Sequence, residues 1–521
     1  MSDLAVREVR PTPRIRPVEQ RRSWLGRNWP DLLILVVLVA VLAFLHADGM
    51  ARYPARFDDE GTYMAQAWAV LERFDLSNYT YWYDHPPLGW IGLAVYLLLT
   101  GALGRAPFGV AAGRELMLIL NVVGMVAIYW LARRLGIRRW LAAAAVLAYG
   151  LSPIGLFYHR MVLLDNIAIP MVLVAWALIR STRTSLAAHT TGAVILGGAI
   201  LVKETMLLFL PALAYDFWRN TDPRNRRYSL ALAGTAFVGI VSLYPLFALL
   251  KGELLPGEDR VSLVGSALWQ LFEREGSGSI LDASSPAHAV VSGWLALDVW
   301  LPAAGLISGV MALFIPRLRA VAATLVLLAL MLLRTGYLPV MFVVQALPLL
   351  ALSVVGVVDQ ALSLADPYRR GTRIRALLQR GVTVGACALL VVGAFGQYAS
   401  GVERARHVDA DRPFRQAQAW LEENVDRDTL VVADHSLWLD MVLAGHPPEN
   451  VIWYYKLDTD PGVELPEGGL SEYDLVVTTE IIRTTNYELP RVEEILAHSS
   501  PLVTFGEGKD RVEIKRVEVP E

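Results

Sequence analysis

The chain has 521 residues, of which 55% are hydrophobic and 19% charged, and its mean hydropathy is +0.41. Apolar runs of membrane-spanning length recur along it, which excludes an ordinary soluble protein and indicates a polytopic membrane protein. The net charge of −3 averages arginine clusters against acidic stretches, so this total excludes no class of partner.

The amino-terminal segment 1–30 is polar and arginine-rich, and it lacks the order of regions that is typical of a cleaved signal peptide. We expect a disordered cytoplasmic tail, followed by a first span that leads outward. Arginine far outnumbers lysine, which favours GC-rich coding and a bacterial source. The single cysteine, Cys387, excludes an intrachain disulfide and a cysteine-based metal site.

The number of spans depends on the apolar run 88–104. If this run crosses the membrane, five arginine-rich loops farther along the chain lie outside, against the positive-inside rule. If it lies in the interface, all five become cytoplasmic, and its proline pair and glycines suit that placement. We therefore predict eleven spans, with the carboxyl end outside. The predicted spans cover residues 31–46, 112–132, 139–157, 164–180, 187–202, 204–217, 228–250, 298–315, 319–333, 337–358 and 381–398.

This topology collects ionisable and polar residues in the outer loops and at the outer helix ends. The set comprises Asp58, Asp59, Glu60, Asp84, His85, Arg114, Glu115, His159, Arg160, Asp165, Asn166, Lys203, Glu204, Arg334 and Tyr337. Its basic members oppose the charge bias of the other loops. Anionic phosphate is a ligand that Arg and Lys bind by charge and hydrogen bonds. The alternative for each residue alone is a capping or snorkelling role.

The stretch "RFDDEGTYMAQAW", residues 56–68, carries three consecutive carboxylates. Its apolar spacing and the acids in its first turn predict an amphipathic helix on the outer surface. Further acids are Asp84 in "YWYDHPPLG" and Asp165 in "FYHRMVLLDN". An N-cap role is the alternative for Asp58, Asp59 and Asp165.

Three loops thus carry acids toward one side of the membrane. If they converge with Arg114, Arg160 and Lys203, they place a base beside a phosphate clamp.

Several motifs resemble those of the GT-C membrane glycosyltransferases, especially the protein O-mannosyltransferase and aminoarabinose-transferase group. "FDDEGTY" resembles the acidic motif of the first external loop, and "DHPPLGW" resembles the HPPLG element. "RELMLILNVVGMVAIYWLARRLG" resembles the second span, "HRMVLLDN" the second external loop, and "GGAILVKET" the lysine-bearing outer turn. The similarity covers residues 25–210.

The resemblance implies a polytopic α-helical GT-C fold within residues 31–400, with interfacial helices in a first external loop at 47–111. The chain departs from the family in one respect: it has no carbohydrate-binding domain inserted between the seventh and eighth spans, where eukaryotic mannosyltransferases carry one. The external loop at 251–297 instead contains "VSLVGSALWQLFERE", whose apolar spacing predicts another interfacial helix.

The implied activity is transfer of a sugar from a polyprenyl-phosphate donor to an acceptor hydroxyl, by inverting displacement, at the outer face of the plasma membrane. The acceptor is a cell-envelope glycan, a lipid or a protein. Asp59 aligns as the base, and Asp58 and Glu60 are neighbouring carboxylates that raise its pKa.

The donor phosphate is expected to bind cationic and hydrogen-bonding residues of the outer set. These are Arg114, Arg160, Lys203, Arg334 and His85, with Tyr337 and Glu204 as further site residues. No cofactor is certain, but Asp84 and Asp165 are candidates to hold Mg²⁺ or Mn²⁺, since hard cations prefer carboxylate oxygens.

From 401 to 521, helix-like segments alternate with short β-branched strands, which predicts a small extracytoplasmic α/β domain. It has no glycine-rich phosphate loop, so we expect no nucleotide, and we expect no nucleic-acid partner. His435 and His446 are expected to be packing or surface residues. We expect the domain to contact the acceptor or a partner.

Two other classes compete with the enzyme. A secondary transporter or a flippase of lipid-linked sugars is also polytopic, but repeat symmetry and charged groups near the middle of spans are typical of transporters. A non-catalytic scaffold for envelope assembly has no need of an acid cluster.

Overall fold

The computed structural model describes residues 24–180, 184–257, 260–365, 373–484 and 488–518. Most of the predicted tail, residues 1–23, lies outside the described residues. The helices of the apolar part are α1 (Trp24–Ala47), α2 (Asp58–Glu72), α3 (Leu88–Thr100), α4 (Gly109–Arg134), α5 (Arg139–Leu151), α6 (Pro153–Tyr158), α7 (Leu164–Ile179), α8 (Leu186–Val202), α9 (Leu210–Asn220), α10 (Arg226–Val241), α11 (Leu243–Leu250), α12 (Leu263–Leu268), α13 (Pro286–Leu297), α14 (Trp300–Ala312), α15 (Arg319–Met331), α16 (Val343–Leu364) and α17 (Arg373–His407).

Five helical stretches within the described ranges are long and apolar enough to cross a membrane, judged by length and composition. They are Asn28–Ala47, Gly109–Arg134, Arg226–Leu250, Val343–Leu364 and Ala376–Asn424. Helices α13 and α14 form a pair bent by 104°, which would add a sixth span. The shorter apolar helices α5, α7, α8 and α15 lie at four more predicted spans. The count of eleven therefore stays a prediction.

Helix α3 occupies the disputed run 88–104 but has only 13 residues. At 1.5 Å per residue it is about 20 Å long, against ~30 Å for the hydrocarbon core of a bilayer. It ends at Gly101, whose φ of 62° is the left-handed conformation that glycine adopts without strain. Helices α5 and α15, which lie at predicted spans, also have 13 residues, so the interfacial position of α3 stays a prediction.

Helix α2 is present where the sequence predicts it, but it is not a surface helix. Most of its side chains between Glu60 and Ala69 are buried. It packs against α3, α4 and a helix of the C-terminal region, which covers the face expected to meet solvent. Sequence periodicity cannot report this cover because it comes from residues far along the chain.

The C-terminal region, residues 408–518, contains a five-stranded mixed sheet. Its helices are α18 (Arg412–Asn424), α19 (His435–Leu443), α20 (Lys456–Thr459), α21 (Glu480–Thr484) and α22 (Pro490–Ala497). Its strands are β1 (Val431–Ala433), β2 (Val451–Trp453), β3 (Leu475–Thr478), β4 (Ser499–Phe505) and β5 (Val512–Val517).

The strand order is β2-β1-β3-β5-β4, with β1 parallel to β2 and β3, and β5 antiparallel to β3 and β4. The three parallel strands are short, apolar and buried along their whole length, as strands covered on both faces are. The loop after β1 leads directly into α19, which is the helix that packs on α2.

Candidate active site

The acidic turn begins α2. Phe57 occupies the cap position, and its backbone N–H donates to Glu60 Oε2 at 3.1 Å. The backbone N–H of Asp59 donates to Asp58 Oδ1 at 2.8 Å. Neither aspartate is the N-cap, and the Asp59 carboxylate accepts no hydrogen bond from a residue that the structure describes. Its side chain is therefore free to accept a proton from a substrate.

Glu60 has a structural role instead of the catalytic one predicted for it. Its carboxylate is fully buried against Arg114, whose Nε and Nη2 lie 2.9 Å and 2.7 Å from its two oxygens. It also accepts from the backbone N–H of Val162 at 2.8 Å. This charge is neutralised locally, so Glu60 is not the neighbouring charge expected to tune Asp59.

The structure contradicts a phosphate role for Arg114. A guanidinium has five N–H donors. Two are used by Glu60, and the other three reach the backbone carbonyls of Met50, Pro54 and Ala55. No donor remains for a ligand, and Arg114 serves to fix the loop before α2 onto α4.

The structure also argues against the phosphate role predicted for Arg160. It is 2% exposed, and its two Nη atoms donate to four backbone carbonyls. The acceptors are Leu45, Asp48, Tyr53 and Ala405. Its role is to join the ends of α1 and α17 to the first loop.

Lys203 and Asp165 form a buried ion pair at 2.6 Å. Gln345 holds the other Asp165 oxygen at 2.9 Å, and its amide also reaches Thr205. Lys203 follows the end of α8 and uses one of three ammonium protons on Asp165, so two remain for a ligand. The charge of Lys203 also lowers the pKa of Asp59, against the effect of burial.

His85 belongs to the same cluster. Its Nδ1 lies 3.0 Å from Glu204 Oε2, and its charge acts on Asp59. Burial lowers the pKa of His85, but the Glu204 carboxylate outweighs that effect, and the net shift is upward. His85 and Glu204 are thus in direct contact, and the charges of His85 and Lys203 both lower the pKa of Asp59. The predicted convergence of the acids with Arg114, Arg160 and Lys203 stays a prediction.

The aspartates considered for a divalent cation do not fit one. Both oxygens of Asp165 accept from Lys203 and Gln345, and Asp84 Oδ1 accepts the backbone N–H of His85 at 3.0 Å. Within the described ranges, no three His, Cys, Asp or Glu residues are grouped as metal ligands. We therefore derive no step through a metal ion.

Arg334 and Tyr337 lie on a loop that packs on the segment 274–277, and no measured contact joins them to Asp59. Arg274, which the sequence interpretation missed, lies with its guanidinium 3.4 Å from the centre of the Tyr337 ring. Neither Arg274 nor Arg334 makes an ion pair with a described residue. Arg274 follows the helical stretch Leu263–Glu273, so the predicted interfacial helix "VSLVGSALWQLFERE" was the available signal.

Burial raises the pKa of Asp59, while the charges of Lys203, His85 and His435 act in the opposite direction. Burial also raises the pKa of Asp58 well above its usual range, helped by the charges of Asp59 and Asp434. A raised pKa strengthens a carboxylate as a base near neutral pH.

The C-terminal region reaches this cluster. His435 Nε2 lies 3.9 Å from Asp58 Oδ2. Along the chain, 376 residues separate His435 from Asp59, the neighbour of Asp58 in the same turn. The contact is held by Arg56, which donates to Asp411 at 3.2 Å and also pairs with Asp440. His446, in contrast, lies beyond α19 and has no measured contact with α2.

A family model described as dolichyl-phosphate-mannose-protein mannosyltransferase matches residues 84–247. No curated protein sequence matches the chain. The matched segment contains the motifs "DHPPLGW", "HRMVLLDN" and "GGAILVKET". It therefore includes His85, Lys203 and Glu204 but not Asp59.

Solved structures extend the similarity in fold to more than nine tenths of the chain. ArnT from Cupriavidus metallidurans bound to undecaprenyl phosphate has a TM-score of 0.55 and 16% identity, over 95% of this chain and 100% of that one. Oligosaccharyltransferase AglB from Archaeoglobus fulgidus, in complex with an inhibitory peptide and a dolichol-phosphate, has a TM-score of 0.54 and 13% identity, over 91% and 73%. Arabinofuranosyltransferase AftD from Mycobacteria has a TM-score of 0.51 and 16% identity, over 95% and 42%.

These proteins are GT-C glycosyltransferases, and the resemblance predicted from the motifs is confirmed: the chain has the GT-C fold.

Proposed function

We propose that the protein transfers a sugar from a polyprenyl-phosphate donor to an acceptor hydroxyl, with Asp59 as the general base. The observation that carries this proposal is the Asp59 carboxylate, which accepts no hydrogen bond from a described residue and is influenced by Lys203 and His85. The likeness to ArnT bound to undecaprenyl phosphate and to AglB with dolichol-phosphate supports the class of donor.

In the proposed step the acceptor oxygen attacks the anomeric carbon and its proton passes to an Asp59 oxygen. The bond from that carbon to the phosphate oxygen breaks, and its electron pair leaves on the polyprenyl phosphate. Attack from the face opposite the leaving group inverts the anomeric configuration. The base is needed because a neutral hydroxyl is a weak nucleophile.

The leaving phosphate gains negative charge as the bond breaks, so fixed cations beside it lower the barrier. Lys203 is the first candidate, since its charge acts on Asp59 and its ammonium retains two donors after pairing with Asp165. Arg274 and Arg334 are further candidates, as cations without an ion-pair partner in the described part of the chain. Arg114 and Arg160 no longer belong to this group.

We assign the site to the outer face of the plasma membrane in a multi-pass protein. The arginine clusters of five loops then lie in the cytoplasm, in agreement with the positive-inside rule. Nucleotide sugars are cytoplasmic, whereas a lipid-linked donor is available where Asp59 and Lys203 lie. The sugar is mannose, arabinose or another pentose or hexose, and the acceptor is a glycan, a lipid or a protein.

A transfer assay separates this proposal from its competitors. Purified protein is mixed with polyprenyl phosphate that carries a radiolabelled sugar and with envelope extract as acceptor, and Asp59→Asn serves as control. An enzyme moves the label to the acceptor and releases polyprenyl phosphate. A flippase moves the intact donor between leaflets of a vesicle, and a scaffold does neither. Activity with a nucleotide sugar in place of the lipid donor contradicts the proposal.

A further inference from the structure

We propose that the C-terminal region completes the transfer site, where His435 is a positioning residue whose Nε2 pairs with Asp58 and leaves Asp59 as the free carboxylate. This inference rests on the proposed function, because it assigns a role within the same reaction. It differs from the expectation that His435 merely packs or lies at a surface.

The first support is the geometry of the pair. His435 is 3% exposed, and its Nε2 lies 3.9 Å from Asp58 Oδ2. Its other ring nitrogen, Nδ1, is buried without a hydrogen-bond partner. A small movement of the carboxylate brings Nε2 within hydrogen-bond distance, since such contacts often tighten when substrate binds. The imidazole therefore has one available partner at the acidic turn.

The second support is the close approach of two backbones. A Cβ atom on Gly61 would lie 2.3 Å from the backbone oxygen of His435. Only glycine at this position allows α19 to begin directly against the first turn of α2. The ring itself is fixed by contacts with Trp453, Tyr454 and Tyr455, whose ring centres lie 5.6–6.1 Å away. Its position is thus set from both sides.

The third support is the charge around the ring. Burial lowers the pKa of His435, the charges of Asp434 and Asp59 raise it, and the charge of Lys456 on α20 lowers it, while Asp58 lies 3.9 Å from its Nε2. Asp434 is itself held by the backbone N–H of Ser436 at 2.8 Å. Two adjacent carboxylates repel each other, and one proton shared by Asp58 and His435 removes this repulsion from Asp59.

The proposed pair exchanges no atoms with substrate. One proton stays between Asp58 Oδ2 and His435 Nε2, while Asp59 takes the proton of the acceptor hydroxyl. Without the imidazole, Asp58 competes with Asp59 for that proton or repels it as a second anion. The loss therefore appears in the chemical step and in its pH dependence, while binding of the lipid donor changes little.

The test compares His435→Ala and His435→Gln with His446→Ala, a control at a similarly buried histidine of the same region that has no measured contact with α2. Thermal unfolding in detergent first establishes that each variant is folded. We expect kcat to fall about 10-fold or more in both His435 variants, while the KM for the polyprenyl donor changes little. The acid limb of the pH profile should move to higher pH, because His435 lowers the pKa of Asp59. Added imidazole should restore part of the activity of His435→Ala.

Wild-type kcat in the His435 variants, an equal loss in His446→Ala, or a loss without a pH shift or imidazole rescue would overturn this inference.

A second measurement does not depend on transfer. The nine histidines are labelled with ¹⁵N, and the His435 signal is assigned by its absence in His435→Gln. Asp58→Asn should lower the pH midpoint of that signal, because a carboxylate partner favours the protonated imidazole. An unchanged midpoint refutes the pair. If the midpoint moves but the wild-type protein transfers no sugar, the pair stands and the proposed function fails.

Discussion

Asp59 differs from Asp58 and Glu60 of the opening motif because its carboxylate accepts no hydrogen bond from any residue in the described part of the chain. Asp59→Asn keeps the size of the side chain and removes the base, so we expect transfer to fall by about 10²-fold or more. The variant should fold and bind donor normally. Asp58→Asn should lose less, because Asp58 acts on Asp59 and not on the acceptor. Initial rates with a labelled lipid donor measure both, and a reversed order would move the base to Asp58.

If Asp59 is the base, we expect Lys203 to set the pH range in which it acts, because the charge of Lys203 lowers the pKa of Asp59. General-base catalysis needs the deprotonated carboxylate, so the rate falls as the pH drops through the pKa of Asp59. Burial raises that pKa and the charge of Lys203 lowers it. Lys203→Met should therefore move the acid limb of the kcat profile to higher pH, while Lys203→Arg, which keeps the charge, should leave it near the wild-type position. A limb that moves to lower pH contradicts this placement.

At the scale of elements, the Glu60–Arg114 pair holds the first turn of α2 against α4. Arg114→Met leaves the Glu60 carboxylate buried without its counter-charge, which costs about 3–5 kcal/mol of unfolding free energy. The matched control is Arg105→Met, which removes a half-exposed arginine that pairs with Glu115, an acid on the same helix as Arg114. Its effect should be far smaller because water screens the exposed pair. Denaturant unfolding in detergent measures both, and equal losses would argue against a structural role for Glu60.

The sequence predicts these elements better than their roles. Periodicity and end signals place α2, α3 and α4. The acidic and lysine motifs contain Asp59 and Lys203, and the charge of Lys203 acts on the Asp59 carboxylate. A charge at a helix end does not reveal its partner, however. From the sequence alone, Arg114 is interpreted as a ligand-binding cation. The carbonyls that accept its remaining N–H donors belong to a loop about 60 residues away, so the sequence around Arg114 does not reveal them.

At the scale of the molecule, cysteine labelling measures on which side of the membrane each loop lies. In a Cys387→Ala background, a membrane-impermeant maleimide should label Asp75→Cys and Glu507→Cys on intact cells, since both positions are exposed and assigned to the outside. It should label Arg224→Cys only after permeabilisation, because this exposed loop is assigned to the cytoplasm. Labelling of Arg224→Cys on intact cells would mean that α3 spans the membrane.

The contact between His435 and Asp58 could not be predicted from a single sequence. Its two partners lie in regions of different composition, and neither motif predicts the other. The strands of the C-terminal region are recognisable from their β-branched runs, but their docking on α2 depends on Arg56, Asp411 and Asp440, whose pairing spans more than 350 residues.

The joint made by Arg160 has a consequence for how the protein is made. The carbonyls that it binds belong to the end of α1 and the end of α17, and Asp48 and Arg406, also paired there, are 358 residues apart. At about 5–20 residues per second, a ribosome needs about 20–70 s to pass from one to the other. Until Ala405 is made, Arg160, which lies between α6 and α7, lacks the carbonyl that this residue of α17 provides. A chain that stops before Ala405 keeps most of its apolar helices yet leaves Arg160 without this partner, so we expect membrane proteases to remove it faster than the finished protein.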